Sequence, residues 1–398
     1  MEDVSESTTM LPTSAYAPPP RRMRFEVVGD TGFVPAWEGL RGLAVVLAHY
    51  CHIVLGKEST GVLGVEIFFV LSGFLITGVL MSQIRKQEQA REQSVSTSAQ
   101  NFLKRFTYLP RFYMDRFVRL TPALTTLILG TGLMQTRDMK FYKESLATFF
   151  YMRNSLPKNP SDPRGGRIDG PLGNCWSLAV EEQFYIFWSL VISFVIPLSF
   201  KRRTLVLVPL VLGSFLLRIY SAWHDGEQTI LFGTWFDYRF AYSTNAWKMF
   251  LGCSARLLPM PTVFTNKWVG MGALLGLFID IYAQGWWLEA KGLVVFPRDA
   301  WWFEMFSGIL ILLVVMGSIH GNPILETRFF RFMGRISYSW YLWQHPLLLI
   351  LGGWRNGHWE ITALAFMIAV FTTFIIEEPI RDKYHAWKSK KPHTQVEK

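Results

Sequence analysis

Cysteine is scarce and scattered: Cys51, Cys175 and Cys253 are all the chain contains. An odd number at these separations offers neither a disulfide framework nor a zinc spacing, so no metal site is expected. Glycine loops of the Walker or Rossmann kind are missing, which argues against a bound nucleoside triphosphate or dinucleotide. Residues 1–35 lack an apolar h-region, so no cleavable signal peptide is expected. Acidic residues are the minority, with 30 Asp and Glu against 40 Lys and Arg, and the net charge is +10. No RNA- or DNA-binding motif accompanies that excess, so it reads as basic loops that fix membrane topology, with no nucleic-acid partner.

What the chain has is apolar length. Half of its 398 residues are hydrophobic. They fall in repeated runs of about 20, the length that crosses a bilayer as a helix. Spans are expected near 37–55, 61–82, 118–135, 177–199, 204–222, 240–257, 268–288, 303–320, 336–352 and 358–378. The fold class is therefore all-α, a polytopic integral membrane bundle of about ten transmembrane helices. The 16 tryptophans suit interfacial belts. Residues 1–35, rich in Ser, Thr, Pro and Ala over 1–22, are expected to be a disordered cytoplasmic tail. Residues 36–383 form one membrane domain, and 384–398 a basic cytoplasmic tail. Basic loops agree with both termini in the cytoplasm, except that the expected outer loop 136–175 also holds Arg137, Lys140, Lys143, Arg153, Lys158, Arg164 and Arg167.

Charges at the edge of hydrocarbon are costly and mark candidate sites. Arg41 and His52 lie eleven positions apart on the first span. A helix returns them to within about 20° of one face, about 16 Å apart along the axis. Histidine suits the removal of a proton from a hydroxyl near neutral pH. His49, one turn earlier, is the secondary candidate. Arg116 and Arg119 share a helix face before Pro122. By spacing alone they fit snorkelling cations at a helix end, and their forks also suit phosphate. Glu66 opens the second span, as a helix-capping charge or a site residue. Ser72 and Gly73 lie in no nucleophile elbow and read as packing residues. Trp176, Glu181, Glu182 and Tyr185 stand at the mouth of the fourth span. Glu377 precedes Pro379, where a helix end and a site role compete evenly.

In combination these segments resemble the membrane-bound acyltransferase 3 family from about residue 36 to 383. That family carries an arginine followed after ten residues by a histidine, as Arg41 and His52 do; its aspartate three residues before the arginine is here Glu38. It also has a matching arginine pair before a proline, implicated in engaging the acyl donor. The block around Trp176, Glu181 and Glu182 matches nearly residue for residue, with Asn174 replacing a common histidine. A terminal histidine-aromatic-proline triplet appears as Gln344-His345-Pro346, which shifts the histidine by one place. The family's arginine-aspartate element near the sixth span appears as Asn245 and Trp247.

The resemblance implies transfer of a short acyl group, acetyl first, from acyl-CoA to a hydroxyl of a sugar or lipid-linked glycan. Acyl-CoA is then a co-substrate, and no resident cofactor is expected. His52 serves as base, Arg41 holds the donor or the network behind it, and Arg116 with Arg119 binds the donor. Glu38, Glu66, Trp176, Glu181, Glu182, Tyr185 and Glu377 support them. Tailoring of a macrolide or another secondary metabolite is an alternative. A proton-coupled transporter would use the same buried charges, but no inverted repeat is visible. In a bacterium the membrane would be the plasma membrane.

Overall fold

The computed structural model describes residues 25–29, 31–53, 58–92, 105–134, 139–156, 170–224, 229–231, 234–236, 242–291, 301–352 and 359–390. Helix covers the core of every expected span: α1 (Pro35–Ile53), α2 (Glu58–Glu92), α3 (Leu109–Met134), α5 (Trp176–Val195), α6 (Phe200–His224), α7 (Tyr242–Leu257), α8 (Lys267–Ala290), α9 (Trp301–Gly317), α10 (Arg328–Leu347) and α11 (Trp359–Phe371). A short helix, α4 (Met139–Phe149), and a last one, α12 (Glu378–Lys390), complete the set among the described residues. Among the described residues, six stretches are long and apolar enough to cross a membrane on their own, at 63–89, 109–134, 173–195, 200–221, 267–287 and 359–390.

The packed pairs run in the directions that consecutive crossings require. On α1 and α2, Trp37 meets Phe74 while Gly64 meets Ala44 and Ala48, so the two are antiparallel. Tyr108, just before α3, bonds Ser193 of α5 while Arg116 of α3 bonds Glu182, again antiparallel. Helices two crossings apart run parallel: Phe69 meets Trp176 and Thr77 meets Trp188 on α2 and α5. The first and ninth spans, α1 and α10, are also parallel, with Gly42 against Phe330 and His49 against Gln344.

Glycine sets the closest of these approaches. A Cβ on Gly42 would overlap the Phe330 carbonyl oxygen, and one on Gly334 would overlap that of Glu38. Between α2 and α7, a Cβ on Gly73 would overlap the Met249 carbonyl oxygen and one on Gly252 that of Val70. Small residues let transmembrane backbones touch in this way.

Three expectations need correction here. The tail expected over 1–35 is ordered in its last part: Phe25–Glu26 pair antiparallel with Met260–Pro261, which ties the segment before α1 to the turn between α7 and α8. Glu66 does not open a helix. α2 begins at Glu58, so Glu66 lies beyond its first turns, too far in to act on the helix dipole. Residues 384–390, expected in the basic tail, continue the helix α12. Pro346 and Pro379 each adjoin a π-helical segment, at Leu348–Gly352 and Thr372–Glu377, as expected where a missing N–H interrupts the helical ladder.

Candidate functional site

Four helices bring charge to one level of the bundle. Arg116 of α3 grips Glu182 of α5 with its fork, Nη2 at 2.5 Å and Nε at 3.1 Å from Oε1. The same guanidinium lies over the Tyr185 ring, its central carbon 3.6 Å from the ring centre. Glu181 accepts hydrogen bonds from the hydroxyls of Tyr185 and Ser72. Ser72 therefore does more than pack, whereas Gly73 beside it is the packing residue it was expected to be. All these carboxylates and hydroxyls are engaged with one another.

Arg41 and Arg119 are different. Arg41 is the strongest electrostatic neighbour of Arg119. No carboxylate or hydroxyl pairs directly with either among the described residues, and Arg41 Nε is buried with no partner at all. Arg119 is exposed, whereas Arg116 one turn before it is half-buried. Glu181, which accepts only from hydroxyls, is the strongest attractive neighbour of Arg41, and guanidinium forks without a direct carboxylate partner can receive an anion. Glu377 lies within electrostatic reach of Arg119 but accepts from the Ser339 hydroxyl and, at 3.4 Å, from Thr373. Glu38 turns to Arg331 of α10, 3.2 Å away.

The level of this cluster is deep. From Arg116 to the end of α3 is about 27 Å of helix, whereas from Glu182 back to the start of α5 is about 9 Å. The acidic mouth of α5 is thus recessed about 18 Å below the end of α3. Part of the 136–175 loop packs into that recess. Phe141 of α4 lies on Gly132, Pro171 meets His345 of α10 at 3.2 Å, and Trp176 meets the Phe69 ring of α2 at 6.2 Å. Arg153 is buried against Glu144 at 3.6 Å, so this cation of the loop is a structural one and no topological signal. Arg137, Lys158, Arg164 and Arg167 lie outside the described residues.

His52 occupies the last turn of α1, and its side chain also lies outside the described residues. His49 is buried and fully engaged, Nδ1 at 3.1 Å from the Gln344 amide oxygen and Nε2 at 3.1 Å from the Thr362 hydroxyl. The residue standing one place before the shifted histidine, Gln344, thus faces α1, while His345 faces Pro171. Asn174 has a backbone task. Its amide nitrogen bonds the carbonyls of Tyr341 and Leu342, at 2.6 and 3.3 Å. The Leu342 carbonyl lacks its helical donor because Pro346 has no N–H.

Glu66 stands apart from the arginine cluster. It pairs at 2.7 Å with Lys248 of α7, which also lies 3.5 Å from Glu304 of α9. Glu304 is held in turn by Arg218 of α6 at 2.6 Å. Sequence reasoning stopped at Asn245 and Trp247 and passed over Lys248, although a lysine inside an apolar span is itself the signal. Trp247 packs edge-on to Phe215, 5.0 Å between ring centres. No group of metal-ligating side chains occurs among the described residues.

Residues 34–377 match the acyltransferase 3 family, described as an acyltransferase domain. The chain belongs to that family. It is 27% identical over 396 residues to the peptidoglycan O-acetyltransferase OatA of Listeria monocytogenes, covering 90% of this chain and 59% of that protein. The O-acetyltransferase OatA of Staphylococcus aureus matches at the same identity and coverage. The putative peptidoglycan O-acetyltransferase YrhL of Bacillus subtilis is 27% identical over 385 residues, 88% of this chain and 55% of that protein. The chain thus spans less than two thirds of the relatives it matches. No solved structure matches it.

Proposed function

We propose that this acyltransferase moves an acetyl or other short acyl group from acyl-CoA to a sugar hydroxyl of an envelope glycan. The observation that supports the reading is that Arg41 and Arg119 influence one another and that neither has a direct carboxylate partner among the described residues, with Arg41 Nε buried and unbonded. CoA phosphates suit that pair, and the cytoplasm is where acyl-CoA is found. Arg116, pinned by Glu182 and Tyr185, frames the phosphate subsite rather than binding in it. The helix that carries Arg41 carries His52 about 16 Å further along nearly the same face. An extended donor arm would bring the thioester from one to the other. His52 takes the proton of the acceptor hydroxyl as its oxygen attacks the thioester carbonyl. The C–S bond breaks, and the CoA thiolate leaves with the proton returned from His52. Apolar helices exclude water from the thioester and so limit hydrolysis. The names of the relatives favour a glycan acceptor over a macrolide.

The protein in nanodiscs, given radiolabelled acetyl-CoA and soluble peptidoglycan fragments, should form a sugar ester and release CoA thiol in equal amounts. Ester formation on a macrolide alone would move the acceptor to secondary metabolites. No transfer to either class would overturn the reading.

A further inference from the structure

We infer that Gln344 donates the hydrogen bond that holds the donor's acyl carbonyl oxygen beside His52; this rests on the acyl-transfer reading above. Gln344 is 1% exposed. Its amide oxygen is used, 3.1 Å from His49 Nδ1. Its amide nitrogen is buried and has no hydrogen-bond partner. An amide oxygen only accepts, so His49 Nδ1 carries the proton and Nε2 accepts from the Thr362 hydroxyl, 3.1 Å away. His49 is thereby neutral, fully bonded and unable to supply a further group. The amide nitrogen of Gln344 keeps two N–H bonds with nothing to receive them, and a buried donor left unpaired costs about 1–3 kcal/mol. Holding His49 requires only the oxygen. The nitrogen is surplus to that task, and an acceptor that arrives with substrate would satisfy it.

Gln344 sits beside the last turns of α1. α1 and α10 run parallel, and Gln344 lies opposite His49. His52 follows His49 by about 4.5 Å along the helix and about 60° around it. The amide therefore faces α1 one turn before the position of His52 in the chain. As the acceptor oxygen attacks, the carbonyl oxygen becomes an oxyanion. It reverts to a carbonyl when the C–S bond breaks, and no proton passes through Gln344. A donor placed for that charge acts mainly on kcat.

The test uses the full chain in nanodiscs with acetyl-CoA and peptidoglycan fragments. Gln344→Met, which removes both amide groups, should lower kcat about 100-fold and leave the KM for acetyl-CoA within about twofold. Gln344→Glu keeps an oxygen for His49 and removes the donor, so it should lose kcat similarly. The same Gln344→Met change made on His49→Leu should still cost about 100-fold relative to His49→Leu alone. Acetyl-CoA labelled with carbon-13 at the carbonyl adds a readout that folding alone does not move. Its infrared stretch should sit lower on the wild type than on either Gln344 variant. If the Gln344→Met loss vanishes on the His49→Leu background, or the carbonyl stretch is the same in all, Gln344 only positions His49 and the inference fails. If the wild type transfers nothing, the acyl-transfer reading fails first.

Discussion

Arg116 and Arg119 are one turn apart on α3 and differ in everything around them. The fork of Arg116 is closed by Glu182 and stacked on Tyr185, so its removal strands a buried carboxylate. Breaking such a pair costs about 3–5 kcal/mol. Arg116→Leu should therefore lower the thermal midpoint, and adding Glu182→Gln should restore part of it; a midpoint unmoved by Arg116→Leu would contradict the pairing. Arg119→Lys should leave the fold intact and raise the KM for acyl-CoA more than that for acceptor, because lysine lacks the planar fork. Higher salt should weaken donor binding further if those phosphate contacts reach solvent. An unchanged donor KM with a raised acceptor KM would move Arg119 to the acceptor side. On α1, His52→Ala should cut transfer at least about 100-fold, the low end for a lost general base, while His49→Ala keeps substantial turnover. Near-wild-type turnover of His52→Ala would sink the assignment. The arginine spacing was visible in the sequence, but what separates the two roles was not. The partner that occupies Arg116 lies 66 residues further along the chain, and no local pattern announces it.

At the level of elements, close packing and site geometry depend on one another. The contact of α2 with α7 at Gly73 fixes the helix whose next residue back, Ser72, bonds Glu181. Gly73→Leu must push the two backbones apart, since the obstacle is a carbonyl oxygen and no flexible side-chain tip. We expect loss of folded protein on fluorescence-detected size exclusion, and lost transfer in whatever folds. Gly213, where a Cβ would meet nothing within 4 Å, is the control and should tolerate Ala. A Gly73→Leu protein as stable as wild type would show that α2 and α7 separate at little cost. The run lengths placed ten of the twelve described helices, because hydrocarbon thickness constrains them directly. They did not show that α5 starts deep in the bundle, because recess depends on which residues of α3 and α5 meet. Nor did they place Asn174, whose amide bonds two carbonyls on another helix, one of them freed by Pro346.

Over the whole molecule, alternating helix directions bear on the topology that the basic loops left in conflict. Every packed pair compared above is parallel or antiparallel as ten successive crossings require, and an even number of crossings returns the chain to its starting side. Part of the conflict over 136–175 disappears, because Arg153 is buried against Glu144 and need never face a membrane surface. Lys140 and Lys143 remain exposed on α4. With the start of α1 and the loop before α3 in the cytoplasm, the arginine cluster lies nearer the compartment that holds acyl-CoA, and His52 nearer the other. The acceptor would then meet the thioester from the far side, which fits an envelope glycan and would not fit a cytoplasmic sugar. Cysteine accessibility on intact cells, with Cys51, Cys175 and Cys253 replaced, can test this. A cysteine near residue 160 should label with an impermeant reagent without permeabilisation, and one at Arg105 only after it. The reverse pattern would turn the whole bundle over. His52 would then face the cytoplasm, the arginine pair would lie beyond the reach of cytoplasmic CoA, and the donor route proposed here would have to be abandoned.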